Sequence, residues 1–180
     1  MTRRFLSLAA ALCALAVANP ASAELPKGAK APTFVTQGAE AGKAFGFNLT
    51  TALAKGPVVL YFYPKAFTQG CTVEAQAFAE SMDDFHKAGA TVIGLSADNI
   101  ETLKKFSTEA CRDKFPVAIA SPQIIKAYDV GLEMNGKATA MANRTTYVIG
   151  QDGRVALAYS DLKPHEHITR SLAVVKALKR

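Results

Sequence analysis

The feature that most constrains the fold of this chain is an apolar run at residues 58–63 that leads, through a proline and a short polar loop, into a helical pattern. The run does not alternate between apolar and polar residues, as expected of a central strand covered on both faces. Apolar positions at residues 72–88 recur with helical spacing, and Gly89 follows as a typical C-terminal glycine. Cys71 lies between the two patterns, so we expect its thiol at a helix N-terminus.

The rest of the chain continues this alternation of strands and helices. Residues 25–36 are expected to be an extended lead-in and residues 37–42 a turn. Strands are predicted at residues 44–49, 91–96, 115–120, 145–149 and 154–159, and helices at residues 100–112, 122–128 and from Pro164 onward. Early strand–helix alternation favours parallel crossovers, and the turn at Asp152-Gly153 favours a closing hairpin. We therefore expect one α/β domain with a mixed central sheet and helices on both faces.

Apolar spacing also predicts which helix positions face the core. In the first long helix these are Val73, Ala77, Phe78, Met82 and Phe85, and in the last helix Ile168, Leu172, Val175 and Leu178. His165 and His167 alternate and do not share a helical face, so we expect two surface residues and no metal site there. His86 is also expected at the surface.

The first 23 residues have the three parts of a secretory signal peptide. Arg3 and Arg4 form a basic start, residues 5–18 are almost entirely apolar, and Ala21-Ser22-Ala23 offers a small-x-small cleavage pattern. The apolar stretch is too short to span a bilayer as a helix. We expect cleavage after Ala23 and an exported, periplasmic protein; an uncleaved anchor and a twin-arginine signal are the alternatives.

The net charge and the number of cysteines exclude several classes of function. The formal net charge is +6, but the lysines are dispersed and no dense basic run interleaves with aromatics. We therefore expect neither nucleic-acid binding nor, after cleavage, membrane association. Residues 24–180 hold two cysteines, Cys71 and Cys111, too few for a disulfide scaffold. Either one structural bridge or a reactive thiol with a partner fits this number.

The local sequence favours a reactive Cys71. The thiolate is the nucleophile, and a helix N-terminus or a neighbouring cation favours it over the thiol. Gly70 lets the backbone approach closely, Thr68 carries a hydroxyl that can fold back beside the sulfur, and Pro64 can shield the sulfur from water. A buried cysteine acting only as a small apolar side chain is the alternative.

These residues also carry a resemblance to a known family. Residues 64–71, PKAFTQGC, match the P-x-x-x-T-x-x-C motif of the peroxiredoxins, and YFYPKAFTQGCTVEAQAF resembles the subfamily called bacterioferritin comigratory protein, or PrxQ. The segments GAKAPTF, GLSAD, FP and NRTTYVI, at residues 28–34, 94–98, 115–116 and 143–149, are similar to further parts of that family. The similarity extends over nearly all of the chain after residue 23.

The resemblance implies a thioredoxin-like fold and a thiol peroxidase that needs no cofactor or metal. It implies that Cys71 attacks hydrogen peroxide or an organic hydroperoxide and becomes a sulfenic acid. Thr68, the Cys71 backbone N–H and the guanidinium of Arg144 would stabilise the charge on the leaving oxygen. Glu74 also belongs to the family pattern, although a solvated acid in the first helical turn is an equal alternative for it.

The sulfenic acid must then react with a second thiol. Many members of the subfamily carry that cysteine five residues after the first, where this chain has Gln76. Some relatives carry it near the position of Cys111, so the resemblance predicts a Cys71–Cys111 disulfide after local unwinding. An external thiol acting on a one-cysteine peroxidase is the alternative. We expect a monomer that receives electrons from a thioredoxin-like reductant.

Other functions of the same fold fit less well. A dithiol oxidoreductase needs C-x-x-C, but Glu74 occupies the second cysteine position, and a copper-delivery protein needs C-x-x-x-C, where Ala75 stands. An exported binding or scaffold module with an idle thiol remains as the non-enzymatic alternative.

Overall fold

The protein is described by a computed structural model that covers residues 24–179. Its main sheet has seven strands in the order β2-β1-β5-β4-β3-β8-β9, and β6 and β7 form a separate two-stranded sheet. The strands are β1 Val35–Glu40, β2 Lys43–Asn48, β3 Val58–Phe62, β4 Thr91–Ser96, β5 Val117–Ile119, β6 Gly131–Met134, β7 Lys137–Ala142, β8 Thr145–Ile149 and β9 Val155–Ser160. Strands β3, β4 and β5 are parallel and the other pairs are antiparallel, which confirms the predicted mixed sheet.

Helices cover both faces of this sheet, as predicted. They are α1 Leu49–Leu53, α2 Gln69–Lys87, α3 Ile100–Glu109, α4 Pro122–Ala127 and α5 His165–Leu178. One buried cluster joins the sheet to α2, α3 and α5, and it contains both cysteines. A second cluster joins the other face of the sheet to α1, α4 and the lead-in. All five residues of β3 are buried, so the strand that precedes Cys71 is covered on both faces.

The register between β3 and β8 positions the site. These strands are antiparallel, and Phe62, the last residue of β3, pairs with Thr145, the first residue of β8. Arg144, one residue before β8, therefore lies at the edge of the sheet where β3 ends and the Cys71 loop begins. Two segments that are 73 residues apart in the chain thus meet at this edge.

The structure corrects the prediction of a turn at residues 37–42. This stretch belongs mostly to β1, which forms a hairpin with β2 through Ala41 and Gly42. Gly38 and Ala39 are buried by packing against β2 and β5, so tertiary contacts override a sequence with little strand preference. Helix α1 and the β6–β7 hairpin were not predicted at all.

Helix boundaries and faces also differ in detail. Helix α3 ends at Glu109 instead of residue 112, because Arg112 and Asp113 both have positive φ angles, 52° and 57°. Val73 is 51% exposed and Leu178 is 45% exposed. Both were predicted to face the core, and for both the prediction is wrong. His167 is fully buried, contrary to the expected surface position, whereas His165 and His86 are exposed.

The lead-in is fastened to the late hairpin and the core. Gly28 N–H donates to the carbonyl of Val155 over 2.7 Å, and Leu25 N–H donates to the hydroxyl of Tyr147 over 3.0 Å. The predicted signal peptide at residues 1–23 lies outside the described residues. Within residues 24–179, no helix is both long and apolar enough to cross a membrane.

A substitution at Gly94 in β4 tests how tightly the core is packed around this strand. A Cβ at this position would lie 2.6 Å from the ring of Tyr61, which is fully buried. We predict that Gly94→Ala lowers the free energy of unfolding by about 1–3 kcal/mol, because a well-packed core accommodates an added methyl group poorly. Gly46→Ala in β2 is the control, since a Cβ there meets no atom within 4 Å. Urea unfolding of both variants measures the difference, and equal stabilities would contradict the packing.

Candidate active site

Cys71 lies in the first turn of α2, at the edge of the sheet where β3 ends. Only 1% of the residue is exposed. The first backbone N–H groups of a helix have no partner within the helix and favour a negative charge near them. The structure therefore brings Cys71 to the helix N-terminus, as expected.

Arg144 supplies a cation directly beside the sulfur. Its Nη2 lies 3.4 Å from Cys71 Sγ, and its Nε donates to the carbonyl of Leu162 over 3.0 Å. A Cβ on Gly70 would lie 3.1 Å from the same Nη2, so the glycine leaves room for the guanidinium over the first turn of α2. Arg144 is 5% exposed, which excludes the ordinary surface arginine that its sequence alone would favour.

The loop between β3 and α2 is held from the neighbouring strand. Asp98 follows β4, and its Oδ2 accepts from the backbone N–H of Ala66 and from the hydroxyl of Ser96, both over 2.8 Å. The same loop contains Phe67 with a φ of 63°, a left-handed conformation that is unusual for a large side chain. Asp98 therefore fixes a strained loop that carries the motif.

Thr68 and Pro64 lie where the motif requires them, but Thr68 makes a different contact from the expected one. Its hydroxyl donates to the carbonyl of Lys65 over 3.0 Å, so the hydrogen is engaged there and not with the sulfur of Cys71. Thr68 is exposed at the N-cap of α2, and Pro64 is half-buried. The hydroxyl oxygen of Thr68 keeps lone pairs that can accept a hydrogen bond.

Glu74 is buried behind Arg144 instead of being solvated. Its Oε2 accepts from Arg144 Nη1, while its Oε1 has no hydrogen-bond partner among the described residues. Burial raises the pKa of Glu74 to about 8, against the opposing influence of Arg144. The neutral acid is thus favoured well above the pH at which an exposed glutamate ionises.

His167 closes the space behind Glu74. Its Nε2 lies 2.9 Å from the carbonyl oxygen of Asp161, and its Nδ1 lies 2.8 Å from the hydroxyl of Thr146 and 3.9 Å from Glu74 Oε1. Burial lowers the pKa of His167. A neutral imidazole with its proton on Nε2 donates to Asp161 and accepts from Thr146, so both ring nitrogens are satisfied without a positive charge.

Cys111 lies in the turn directly after α3 and is fully buried, not on the helix itself as predicted. Its backbone N–H donates to the carbonyl of Phe106 over 3.1 Å. Cys71 and Cys111 are both free thiols in the same buried cluster. Burial raises the pKa of the Cys111 thiol, so in the closed fold it is a poor nucleophile.

Sequence reasoning missed the roles of two residues of this site, Asp98 and His167. Asp98 was noted within the family-like segment GLSAD, and its contact with the loop before α2 was not expected. Its neighbour Asn99 caps α3 by accepting from Thr102 N–H over 2.9 Å. An acid directly after the carboxyl end of a parallel strand was the available signal for Asp98. His167 gave no signal, because its partners come from distant segments.

Comparison with known proteins identifies the family of this chain. The sequence profile of the AhpC/TSA family matches residues 27–158. A chloroplastic peroxiredoxin Q from Sedum lineare is 35% identical over 166 residues, which cover 89% of this chain and 83% of the relative. The chain belongs to the peroxiredoxins of the AhpC/TSA family. This peroxiredoxin is a thiol-dependent peroxidase, with a peroxide as substrate and a thiol as reductant.

Solved structures agree with the family and the fold. The peroxidoxin BcpB from Mycobacterium tuberculosis is 30% identical with a TM-score of 0.73, covering 84% of this chain and 96% of BcpB. The Xanthomonas campestris bacterioferritin comigratory protein, studied for alkyl peroxide reduction, is 31% identical with a TM-score of 0.70, covering 80% of this chain and 92% of that protein. The thioredoxin-like fold implied by the motif is therefore confirmed.

The raised pKa of Glu74 predicts how stability changes with pH. A group with a raised pKa in the folded state stabilises the fold fully below its unfolded pKa, and the contribution is lost as pH rises through the folded pKa. Relative to Glu74→Gln, the reduced wild-type protein should therefore lose stability between about pH 4.5 and 8, by up to about 1.4 kcal/mol per pH unit. Urea unfolding across this range measures the difference, and parallel stability curves would contradict it.

Proposed function

We propose that Cys71 is the peroxidatic cysteine. Its thiolate attacks the terminal oxygen of a hydroperoxide, an S–O bond forms, the O–O bond breaks, and the electron pair leaves on the second oxygen. That oxygen takes a proton and departs as water or an alcohol. The observation that carries the proposal is the 3.4 Å contact between Arg144 Nη2 and Cys71 Sγ inside a buried site.

Three donors and acceptors at the mouth of the site support this step. Arg144 and the backbone N–H of Cys71 are preorganised to stabilise charge as it moves to the leaving oxygen. The hydroxyl oxygen of Thr68 can accept a hydrogen bond from the hydroperoxide O–H while the hydroxyl itself donates to the carbonyl of Lys65. Pro64 is half-buried at the end of β3, and we propose that it limits water at the sulfur.

We propose that Cys111 resolves the sulfenic acid by forming a disulfide with Cys71. Both sulfurs are buried, so the step requires local opening of the Cys111 turn and of the first turn of α2. Arg112 and Asp113 support such opening, because each left-handed residue other than glycine costs of order 1–3 kcal/mol that the closed turn must offset. An external thiol acting directly on Cys71 is the second candidate, favoured by the complete burial of Cys111.

The rim of the site supports hydrogen peroxide and organic hydroperoxides as substrates. Phe67, in the loop before α2, is 45% exposed, and Val73, two residues after Cys71 in α2, is 51% exposed. Apolar side chains at the entrance can hold an alkyl group without hindering a smaller peroxide. The study of alkyl peroxide reduction in the Xanthomonas campestris relative supports the same substrate class.

Export to the periplasm, removal of residues 1–23 and a single folded domain at residues 24–180 complete the proposal. The signal pattern of residues 1–23 supports export, and a protein in that compartment draws on an exported thioredoxin-like reductant. We propose that it acts as a monomer. The exported protein would begin at Glu24, which N-terminal sequencing of a periplasmic fraction would show.

Peptide mapping separates the proposed roles of the two cysteines. Wild-type protein treated with one equivalent of hydrogen peroxide should lose two hydrogens and yield linked Cys71 and Cys111 peptides. Cys111→Ser should consume the first equivalent within about threefold of the wild-type rate and retain a sulfenic acid on Cys71, because the attack does not use Cys111. Cys71→Ser should leave the peroxide unconsumed.

Each alternative gives a distinct result in the same experiment. Persistent free Cys71 in wild-type protein would sink the peroxidatic role of this residue. Sulfenic or sulfinic acid on Cys71 with Cys111 untouched would keep that role and assign resolution to an external thiol.

A further inference from the structure

Arg144, Cys71 and Glu74 form one contact cluster at the start of α2, and the guanidinium of Arg144 is its fixed cation. Arg144 contacts Cys71 through Nη2 and Glu74 through Nη1. The side chain of Arg144 is 6% exposed and that of Glu74 is 0% exposed. One guanidinium therefore faces two acidic groups in a site that excludes water. These are the thiol of Cys71 and the carboxyl group of Glu74.

A single buried cation balances only one of these acids. If both were ionised, the cluster would hold an excess negative charge, and an uncompensated buried charge is very costly. The carboxylate would also leave Oε1 charged and without a hydrogen-bond partner among residues 24–179. Two acids that interact this closely lose their protons in separate steps, since ionisation of one disfavours ionisation of the other.

Among residues 24–179, no second cation offsets the excess charge. His167 is the other basic group that faces Glu74, at 3.9 Å from Nδ1 to Oε1. Its Nε2 lies 2.9 Å from the carbonyl of Asp161 and must carry a proton, which leaves Nδ1 to accept from Thr146. Burial and the nearby Arg144 and Arg170 keep the imidazole neutral. Tyr61 also lies near Glu74, but it is a neutral phenol when buried.

We propose that Glu74 is a proton-balancing positioning residue: it stays protonated while Cys71 is a thiolate and ionises when Cys71 is oxidised. The proposal deepens the peroxidatic role of Cys71 and rests on it. Oxidation converts the thiolate into a neutral sulfenic acid, which removes the negative charge that Arg144 was balancing. The guanidinium is then free to stabilise the carboxylate of Glu74 through the contact that Nη1 already makes.

The step balances without a net proton from solvent. The site with a Cys71 thiolate and a Glu74 carboxylic acid reacts with ROOH to give a Cys71 sulfenic acid, a Glu74 carboxylate and ROH. The sulfur forms the S–O bond, the leaving oxygen takes the electron pair and one proton, and Glu74 releases one proton to water. Glu74 contacts neither peroxide oxygen, so it acts through Arg144. The raised pKa of Glu74 agrees with this assignment.

Proton uptake during oxidation tests the proposal. Reduced wild-type protein and Glu74→Gln are mixed with one equivalent of hydrogen peroxide in weak buffer containing a pH dye. The pH is held below about 8, where thiolate ultraviolet absorbance shows Cys71 ionised in both proteins. Wild-type protein should take up close to no protons per Cys71 oxidised, whereas Glu74→Gln should take up about one, because glutamine has no proton to release. Glu101→Gln, at an exposed carboxylate on α3, should match the wild type.

Infrared difference spectra of the wild-type protein provide a second readout. Its main result does not require Glu74→Gln to fold. The band of a protonated carboxyl group should be present in the reduced protein and lost on oxidation, and Glu74→Gln should lack this difference. Uptake of about one proton by the wild-type protein, or a carboxylate band before oxidation, would overturn the proposal. Mass detection of the Cys71 sulfenic acid in the same samples keeps failure of this proposal distinct from failure of the peroxidatic role.

Discussion

The site depends on one buried guanidinium that is shared between a thiol and a carboxyl group. Arg144 is held in this position by two segments: α2, which supplies Cys71 and, one helical turn later, Glu74, and the stretch after β9, which supplies the carbonyl of Leu162. A buried arginine without such partners would be strongly destabilising. The same contacts that satisfy Arg144 also hold its Nη2 against the sulfur, so stability and reactivity are linked at this residue.

The sheet provides the rigidity that this arrangement needs. Antiparallel pairing of β3 and β8 fixes Arg144 relative to the end of β3, and parallel pairing of β3 and β4 places Asp98 under the loop. By contrast, Cys111 follows α3 in a turn with two consecutive left-handed residues. Both cysteines are buried, so the proposed disulfide requires each of these segments to open locally.

The sequence was sufficient for the features that depend on local patterns or on a motif. Strand β4 was predicted with its exact ends, and the motif from Pro64 to Cys71 led to the correct fold. Features that depend on pairing between distant segments could not be predicted from the sequence. Strand β1 has few apolar residues, and the hydrogen-bond partners of His167 lie in β8 and after β9. The β6–β7 hairpin had a usable signal in Asn135-Gly136, whose positive φ angles are those of a tight hairpin turn. Burial of Glu74 was hidden because the residue that covers it, Arg144, comes from a distant segment before β8.

The most direct test of this account is the rate at which Cys71 is oxidised when the guanidinium is replaced. Arg144→Lys keeps a positive charge but loses the planar fork that contacts both acids. The second-order rate constant with hydrogen peroxide, followed by stopped flow, should fall about 100-fold or more. Arg154→Lys, at an exposed arginine outside the site, should stay within about twofold of wild type. A folded Arg144→Lys protein that reacts at the wild-type rate would contradict the central role of the shared guanidinium.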